Sequence, residues 1–434
     1  MSDSILKSSA EQIYDTIYEE EDARVCKDIP EAACTNVPHN FFLNAAAMAL
    51  GKLADAIANT KTTLPWLLSS VGAPGWVLSL IVPIRESGSM LPQLAIGSWV
   101  RRAPRRRRFY TAGALIQALG LLGAALSVIT LQGTAAGIAA LICVIVFSLA
   151  RGFCSVASKD VIGKTVPKTR RGRVNGLAAS FAGFGTLLVA ALLYGLPQEH
   201  GVYAALVVAA AIAWLGAAWL YARIDETPGA VEGGVNGLSA ALSGLNLLRD
   251  DQPFRTFVIG RALLVGTALA APFLVIMARE RSDTALIFFL LAQGAAGLLS
   301  GPLWGRFADR SSRLLLLASG VAAGVLGLGI FIADRVATDL THTRWFLPIC
   351  FFALMVLHDG VRLGRKTYLL DLGGADKRTD YVAVSNTIIG ILLLGLGALV
   401  AFVQAYGNSV AILFLSLLAF VAVCFIYTLP EVQD

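Results

Sequence analysis

Thr284-Ala-Leu-Ile-Phe-Phe-Leu-Leu-Ala-Gln-Gly-Ala-Ala-Gly-Leu-Leu-Ser-Gly-Pro-Leu-Trp-Gly305 runs without a single ionisable side chain. It then turns basic, as Arg306-Phe-Ala-Asp309-Arg310-Ser-Ser-Arg313, before Leu314-Leu-Leu-Leu-Ala-Ser-Gly opens another apolar run. A bilayer core about 30 Å thick needs roughly 20 apolar residues in helical form. The stretch therefore reads as one membrane span, a short charged connection and the start of the next. Its Leu, Ala and Gly content, without period-two alternation, predicts helix and not strand.

Outward from this segment the pattern repeats. Apolar runs lie near 41–71, 75–99, 109–131, 134–163, 174–195 and 202–222, then near 254–278, 284–305, 313–333, 345–371, 380–404 and 408–428. They are numbered here as spans 1 to 12, and they predict an all-α integral membrane protein. The composition agrees: of 434 residues, 56% are hydrophobic and only 15% charged, with a mean hydropathy of +0.69. A soluble surface needs about a quarter of its residues charged. The same figures exclude a disordered chain, a coiled coil and an extracellular disulfide scaffold. A net charge of +6 does not point to nucleic acid, because the basic groups sit in short clusters between apolar runs.

In a membrane protein such clusters set orientation. Arg101, Arg102 and Arg105 to Arg108 join spans 2 and 3. Lys168, Arg170, Arg171 and Arg173 join spans 4 and 5, and Arg306, Arg310 and Arg313 join spans 8 and 9. The connections 1–2, 3–4 and 11–12 hold no Lys or Arg. Arg279, Arg281, Arg335 and Arg344 break the rule on that side. The balance predicts a multi-pass protein of the cell (inner) membrane, with both termini cytoplasmic. Residues 1–40 read as an acidic cytoplasmic leader (Glu19, Glu20, Glu21, Asp22) without the apolar core of a signal peptide. Cys26 and Cys34 in that leader, and Cys143, Cys154, Cys350 and Cys424 within spans, form no metal-ligand spacing. No metal and no cofactor is expected.

Spans 1–6 (41–222), a linker (223–252) and spans 7–12 (253–430) suggest a duplication at an offset of 207–208. Gly97 and Arg102 match Gly305 and Arg310; Pro65 matches Pro272; Arg151, Lys159 and Arg171 fall against His358, Lys366 and Arg378. Parallel repeats with a site between them are a transporter architecture.

Gly305-Arg-Phe-Ala-Asp309-Arg310-Ser-Ser-Arg313 resembles the loop signature of the major facilitator superfamily: a Gly, Asp-Arg four residues on, then basic residues. Gly97-Ser-Trp-Val-Arg101-Arg102-Ala-Pro104 resembles its first-half copy, with Arg101 in place of the Asp and Pro104 in place of the second Gly. Leu64-Pro65-Trp66-Leu67-Leu68 is similar to the end of the first span in many bacterial members. The resemblance covers about 41–430. It implies two pseudo-symmetric six-helix bundles, a central cavity lined mainly by spans 1, 4, 7 and 10, and alternating access by rocking.

Ionisable groups within spans are costly, at least about 2.5–3.5 kcal/mol each at mid-bilayer, and so are candidates for function. Lys52, Asp55 and Asn59 in span 1 are spaced to share one helical face, as are Glu86, Ser89 and Gln93 in span 2 beside Arg85. Span 4 offers Arg151, Ser155, Ser158 and Lys159; span 10 offers His358, Arg362, Arg365 and Lys366 at the same spacing, with Asp359 adjacent; span 7 adds Arg261. Lys52 and Asp55 could pair with each other. Lys61 falls off the shared face.

Lys52, Arg85, Arg151 and Arg362 outnumber Asp55, Glu86 and Asp359. Since guanidinium groups bind carboxylate or phosphate bidentately, a small anionic or zwitterionic solute is expected. Arg151 and Arg362 are its leading anchors, with Lys52, Asn59, Arg85, Gln93, Arg261 and His358 as further contacts. Asp55, Glu86 and Asp359 are candidate proton-coupling sites.

The resemblance also implies a cytoplasmic gate. The loop bearing Gly97, Arg101 and Arg102 would face Asp376 and Asp380, and the loop bearing Gly305, Asp309 and Arg310 would face Arg170, Arg171 and Arg173. Gly163-Lys164-Thr165 is no phosphate loop, because Ser158 stands where that motif needs Gly. Secondary transport, not catalysis, is the expectation, with a small molecule, a proton or other coupling ion and the lipid bilayer as partners, and a monomer. Multidrug or lipid export on the same fold, and a non-transporting receptor or scaffold, are the alternatives. Leu238–Leu248 reads as an amphipathic helix before span 7.

Overall fold

A computed structural model describes residues 36–194, 199–228, 248–281, 286–373 and 378–432, with Leu196 and Asn246. The acidic residues of the leader, Leu238 and Asp376 lie outside the described residues. Among the described residues the architecture is entirely helical. Ten helices are each long and apolar enough to cross a membrane, from Arg107–Thr130 (span 3) to Asn408–Tyr427 (span 12). Spans 1 and 2, which carry much of the intramembrane charge, are absent from those ten, and both are broken.

The breaks have local causes. Span 1 runs as Val37–Ile57, stops, and restarts as Thr63–Ser70. Pro65 clashes with a carbonyl one turn back and is tolerated only in the first turn of a new helix. The β-branched Thr60, Thr62 and Thr63 disfavour helix in between. The Asn59 side chain stabilises the interruption by accepting from the Lys61 N–H at 2.7 Å. Span 2 runs as Gly75–Met90, breaks at Leu91-Pro92, and continues as Gln93–Arg101. Span 7 is in three pieces, Gln252–Leu264, Gly266–Leu269 and Ala271–Arg281. Adding the 207-residue offset to the break at 58–62 gives 265–269, a stretch in which span 7 is helical except at Val265. Pro65 and Pro272 each follow an interruption of their span, at 58–62 and at Ala270.

The packing follows the same symmetry. Span 3 (Arg107–Thr130) lies against spans 4 (Gly133–Thr165) and 6 (His200–Ala222), as span 9 (Ser312–Val336) lies against spans 10 (Phe346–Leu372) and 12. Span 1 packs on span 6 and span 7 on span 12; span 2 packs on span 4 and span 8 (Leu286–Arg310) on span 10. Lipid offers helices no hydrophobic reason to associate, so close approach depends on small residues. A Cβ at Gly113 would lie 2.9 Å from the Ala150 carbonyl oxygen, and one at Gly120 would lie 3.1 Å from that of Cys143. These two glycines set the span 3–span 4 seam. The outer surface is apolar, with Leu119, Leu126, Phe184 and Leu192 all exposed.

Between the bundles, span 2 runs beside span 11 (Arg378–Gln404), span 5 (Lys168–Leu193) beside span 8, and the end of span 1 meets the end of span 7. At the end away from the arginine clusters the two halves are joined. Arg279 donates to Ser69 Oγ at 2.8 Å, and the Trp66 and Phe289 rings lie 6.2 Å apart. Toward the arginine-rich end spans 5 and 8 diverge: Leu187 and Leu298 pack across the seam, whereas Gly172, Gly176, Gly301 and Gly305 face open space. The bundles are thus joined at the far end and separate along spans 5 and 8 toward the arginine-rich end.

Candidate functional site: a charged seam between the bundles

Asp55, on the last full turns of the first helix of span 1, is the meeting point of two cations. Its Oδ1 lies 3.6 Å from Arg85 Nη2 of span 2, and its Oδ2 pairs with Arg151 of span 4. Arg85 also lies 3.7 Å from Glu86. Aromatic faces back both guanidinium groups, Phe147 at 5.8 Å from Arg85 and Trp214 at 5.9 Å from Arg151. Lys52 does not pair with Asp55. It reaches instead across to span 5 and donates to the Asn175 carbonyl at 3.1 Å. A cavity of about 210 Å³ opens here, lined by Lys52, Asp55, Arg151, Ser155, Ser158 and Trp214 among others.

The break in span 1 shapes the rest. Asn59, expected on the face of Lys52 and Asp55, lies beyond the helix end and is occupied with the turn. Lys61 is brought instead into the electrostatic field of Glu86, Asp359, Arg362 and Arg85. On span 10, Arg362 lies 3.3 Å from Asp359, and its side chain is 65% exposed. Arg365 is electrostatically coupled to Glu86 across the seam. His358 contacts Thr267 Oγ1 through Nδ1 at 3.0 Å, pinning span 10 to the break in span 7. The seam thus gathers Lys52, Lys61, Arg85, Arg151, Arg362 and Arg365 against only Asp55, Glu86 and Asp359.

Arg261 makes a separate set of contacts. At 6% exposed it does not snorkel to an interface. It donates to Ser385 Oγ at 2.6 Å and Asn386 Oδ1 at 2.9 Å, and Asn386 in turn donates to Gln93 at 3.4 Å. The break at Pro92 separates Gln93 from the face of Glu86 and places it against span 11. This polar chain ties spans 7, 11 and 2.

At the arginine-rich end Gly97 and Gly305 both face open space, and Arg102 and Arg310 are exposed. Arg171 is turned toward its own bundle, where it donates to the carbonyls of Val166 at 3.0 Å and Gly163 at 2.8 Å and so caps span 4. The side chains of Arg101, Asp309 and Asp380 lie outside what is described.

Residues 41–394 match the Major Facilitator Superfamily. The chain belongs to that superfamily. The match accounts for the paired bundles, the seam between them and the loop signatures, and it makes the protein a multi-pass membrane transporter and not an enzyme. Solved members share the fold at low identity. The inward-open xylose transporter XylE from E. coli is 14% identical, with a TM-score of 0.67 over 90% of this chain and 97% of that one. A POT family transporter in complex with 5-aminolevulinic acid is 12% identical, with a TM-score of 0.69 over 93% and 98%. A D-xylose-proton symporter is 13% identical, with a TM-score of 0.65 over 91% and 98%. No curated protein matches by sequence.

Some residues of this facilitator escape a sequence reading. Glu226, just past span 6 and 5% exposed, accepts from the backbone N–H of Arg106 at 2.9 Å and of Arg107 at 2.7 Å, and pairs with Lys164 at 2.9 Å. It satisfies orphan donors at the start of span 3 and clasps spans 3, 4 and 6. Its counterpart Glu431 accepts from Ser311, the N-cap of span 9, at 2.7 Å. Two of the four off-side arginines are likewise accounted for locally, Arg279 by Ser69 and Arg281 by its ion pair with Asp334.

Proposed function

We propose that this facilitator moves a small organic anion or zwitterion by alternating access, coupled to protons. The observation that carries the reading is the cationic surplus of the seam. The seam gathers six basic side chains against three carboxylates, with a cavity beside Lys52, Asp55 and Arg151 in the first bundle, and that imbalance suits a cargo with its own negative charge. Arg362 is the open anchor on span 10, assisted by Lys61 and Arg365. Arg151 is the anchor on span 4, but it comes with a resident counter-ion.

That counter-ion supplies a coupling mechanism. A proton delivered to Asp55 removes the negative charge that holds Arg151 and Arg85, and frees guanidinium donors for a cargo carboxylate. Proton and anion then occupy the seam together, and loss of the proton returns the arginines to Asp55. Glu86 and Asp359 stand in the same relation to Lys61 and Arg362. By the positive-inside rule the arginine-rich end is taken as cytoplasmic, and the divergence of spans 5 and 8 there supports an inward-open reading. Closing that end would bring the loop of Arg101 to Asp380 and the loop of Asp309 to Arg171, as the gate.

The test is ligand-induced thermal stabilisation of the purified protein against organic acids, amino acids, sugars and cationic drugs, followed by transport in proteoliposomes. Carboxylate-bearing compounds should stabilise the wild type, and Arg362→Ala and Arg151→Ala should each cut their transport at least tenfold. Asp55→Asn should bind the cargo with its pH dependence lost. Transport of an anion left intact in both arginine variants, or stabilisation by neutral sugars alone, would sink the proposal.

A further inference from the structure

Arg105 to Arg108 are four consecutive arginines at the entrance of span 3, and the structure divides them into two pairs. The inner pair is engaged by the protein. Arg106 Nη1 lies 2.9 Å from Asp160 Oδ2, its backbone N–H and that of Arg107 are held by Glu226, and the Arg107 guanidinium binds the Ile224 carbonyl. The outer pair, Arg105 and Arg108, is exposed and forms no ion pair among the described residues. Orientation signalling requires basic residues at this end but gives no reason for such a division.

The outer pair lines a cavity of about 670 Å³ whose remaining wall includes Pro104, Phe109, Ala112 and Pro228. Its chemistry is two-sided, with two guanidinium groups at one rim and an apolar floor. From that floor an exposed stripe descends along the outside of span 3, through Arg108, Ala112, Leu115 and Leu119 at helical spacing, with Leu115 43% and Leu119 65% exposed. A phosphate at the rim and hydrocarbon along the stripe fit both halves at once.

We infer that this groove binds an anionic phospholipid of the surrounding leaflet, its phosphate held between Arg105 and Arg108 and an acyl chain laid over Ala112 and Leu115. Guanidinium forks hold phosphate oxygens bidentately. A leaflet rich in anionic lipid supplies the ligand at high local concentration.

Native mass spectrometry of the protein taken from nanodiscs containing phosphatidylglycerol and phosphatidylcholine tests the assignment. The wild type should retain phosphatidylglycerol preferentially. Arg105→Gln with Arg108→Gln should weaken that retention about 30-fold, the factor expected of two basic groups near an anionic surface. Arg249→Gln, an exposed arginine at the same end, should change nothing. Ala112→Trp, which fills the floor and keeps both arginines, should also lower retention, so the inference remains testable if the double variant misfolds. Unchanged retention in the double variant or in Ala112→Trp would overturn it. So would displacement of the lipid by millimolar inorganic phosphate, since the site would then be one for a free anion.

Discussion

Asp55 balances two guanidinium groups with one carboxylate, and that asymmetry makes the three residues unequal. Removing Arg151 leaves Asp55 with Arg85 still 3.6 Å away. Removing Asp55 leaves two cations facing each other inside a bilayer. Breaking a buried ion pair from one side costs about 3–5 kcal/mol, and less where water reaches it. Side-chain exposures of 14–28% put the expected loss near 2 kcal/mol. Asp55→Ala should therefore lower the melting temperature in detergent more than Arg151→Ala does. Asp55→Asn combined with Arg151→Gln should recover most of the difference. Equal destabilisation by the two single variants would mean that Arg85 takes no part.

At the scale of the helix, spans 2 and 11 touch through glycine. A Cβ at Gly390 would come within 2.8 Å of Leu91 Cγ, and one at Gly397 would overlap Pro83 Cγ and Cβ. Ser87 Oγ donates to the Gly390 carbonyl at 2.8 Å between these two points. Gly397→Leu should wedge the bundles apart and abolish transport at unchanged membrane expression, whereas Gly395→Leu, which meets open space, should be tolerated. Transport assays on both variants decide it. Elements are also where sequence reading succeeds and then stops. The runs, the charge clusters and the superfamily signature were legible because hydropathy and orientation are local properties. Arg85, Arg151, Asp55 and Arg362 stood out because charge within a span is costly. Which of them meet was not legible. Helical spacing placed Asn59 and Gln93 on faces that two breaks interrupt, and the break in span 1 is what brings Lys61 into play. Arg261 finds Ser385 and Asn386 more than 120 residues away, and no periodicity announces that pairing. Glu226 lies outside every span, where a carboxylate attracts no notice.

For the whole molecule, the question is how one end opens while the other shuts. The described conformation is joined by Arg279 and Ser69 at the far end, and Arg171 is turned back onto span 4. In the proposed gate, closure of the arginine-rich end would have Arg171 give up two carbonyl acceptors, a modest cost that a cluster of loop contacts can offset although single surface pairs contribute only about 0–1 kcal/mol each. Arg101→Asp should impair transport, and adding Asp380→Arg should restore it. Accessibility of a cysteine placed in the seam would report the shift in population, and failure of the second substitution to rescue the first counts against the pairing. The Glu226 clasp bears on something else, the order in which the protein is made. Every group it joins, from Arg106 and Lys164 to Ile224, precedes residue 229, so the first bundle can lock its own helices in the membrane while the ribosome is still producing span 7.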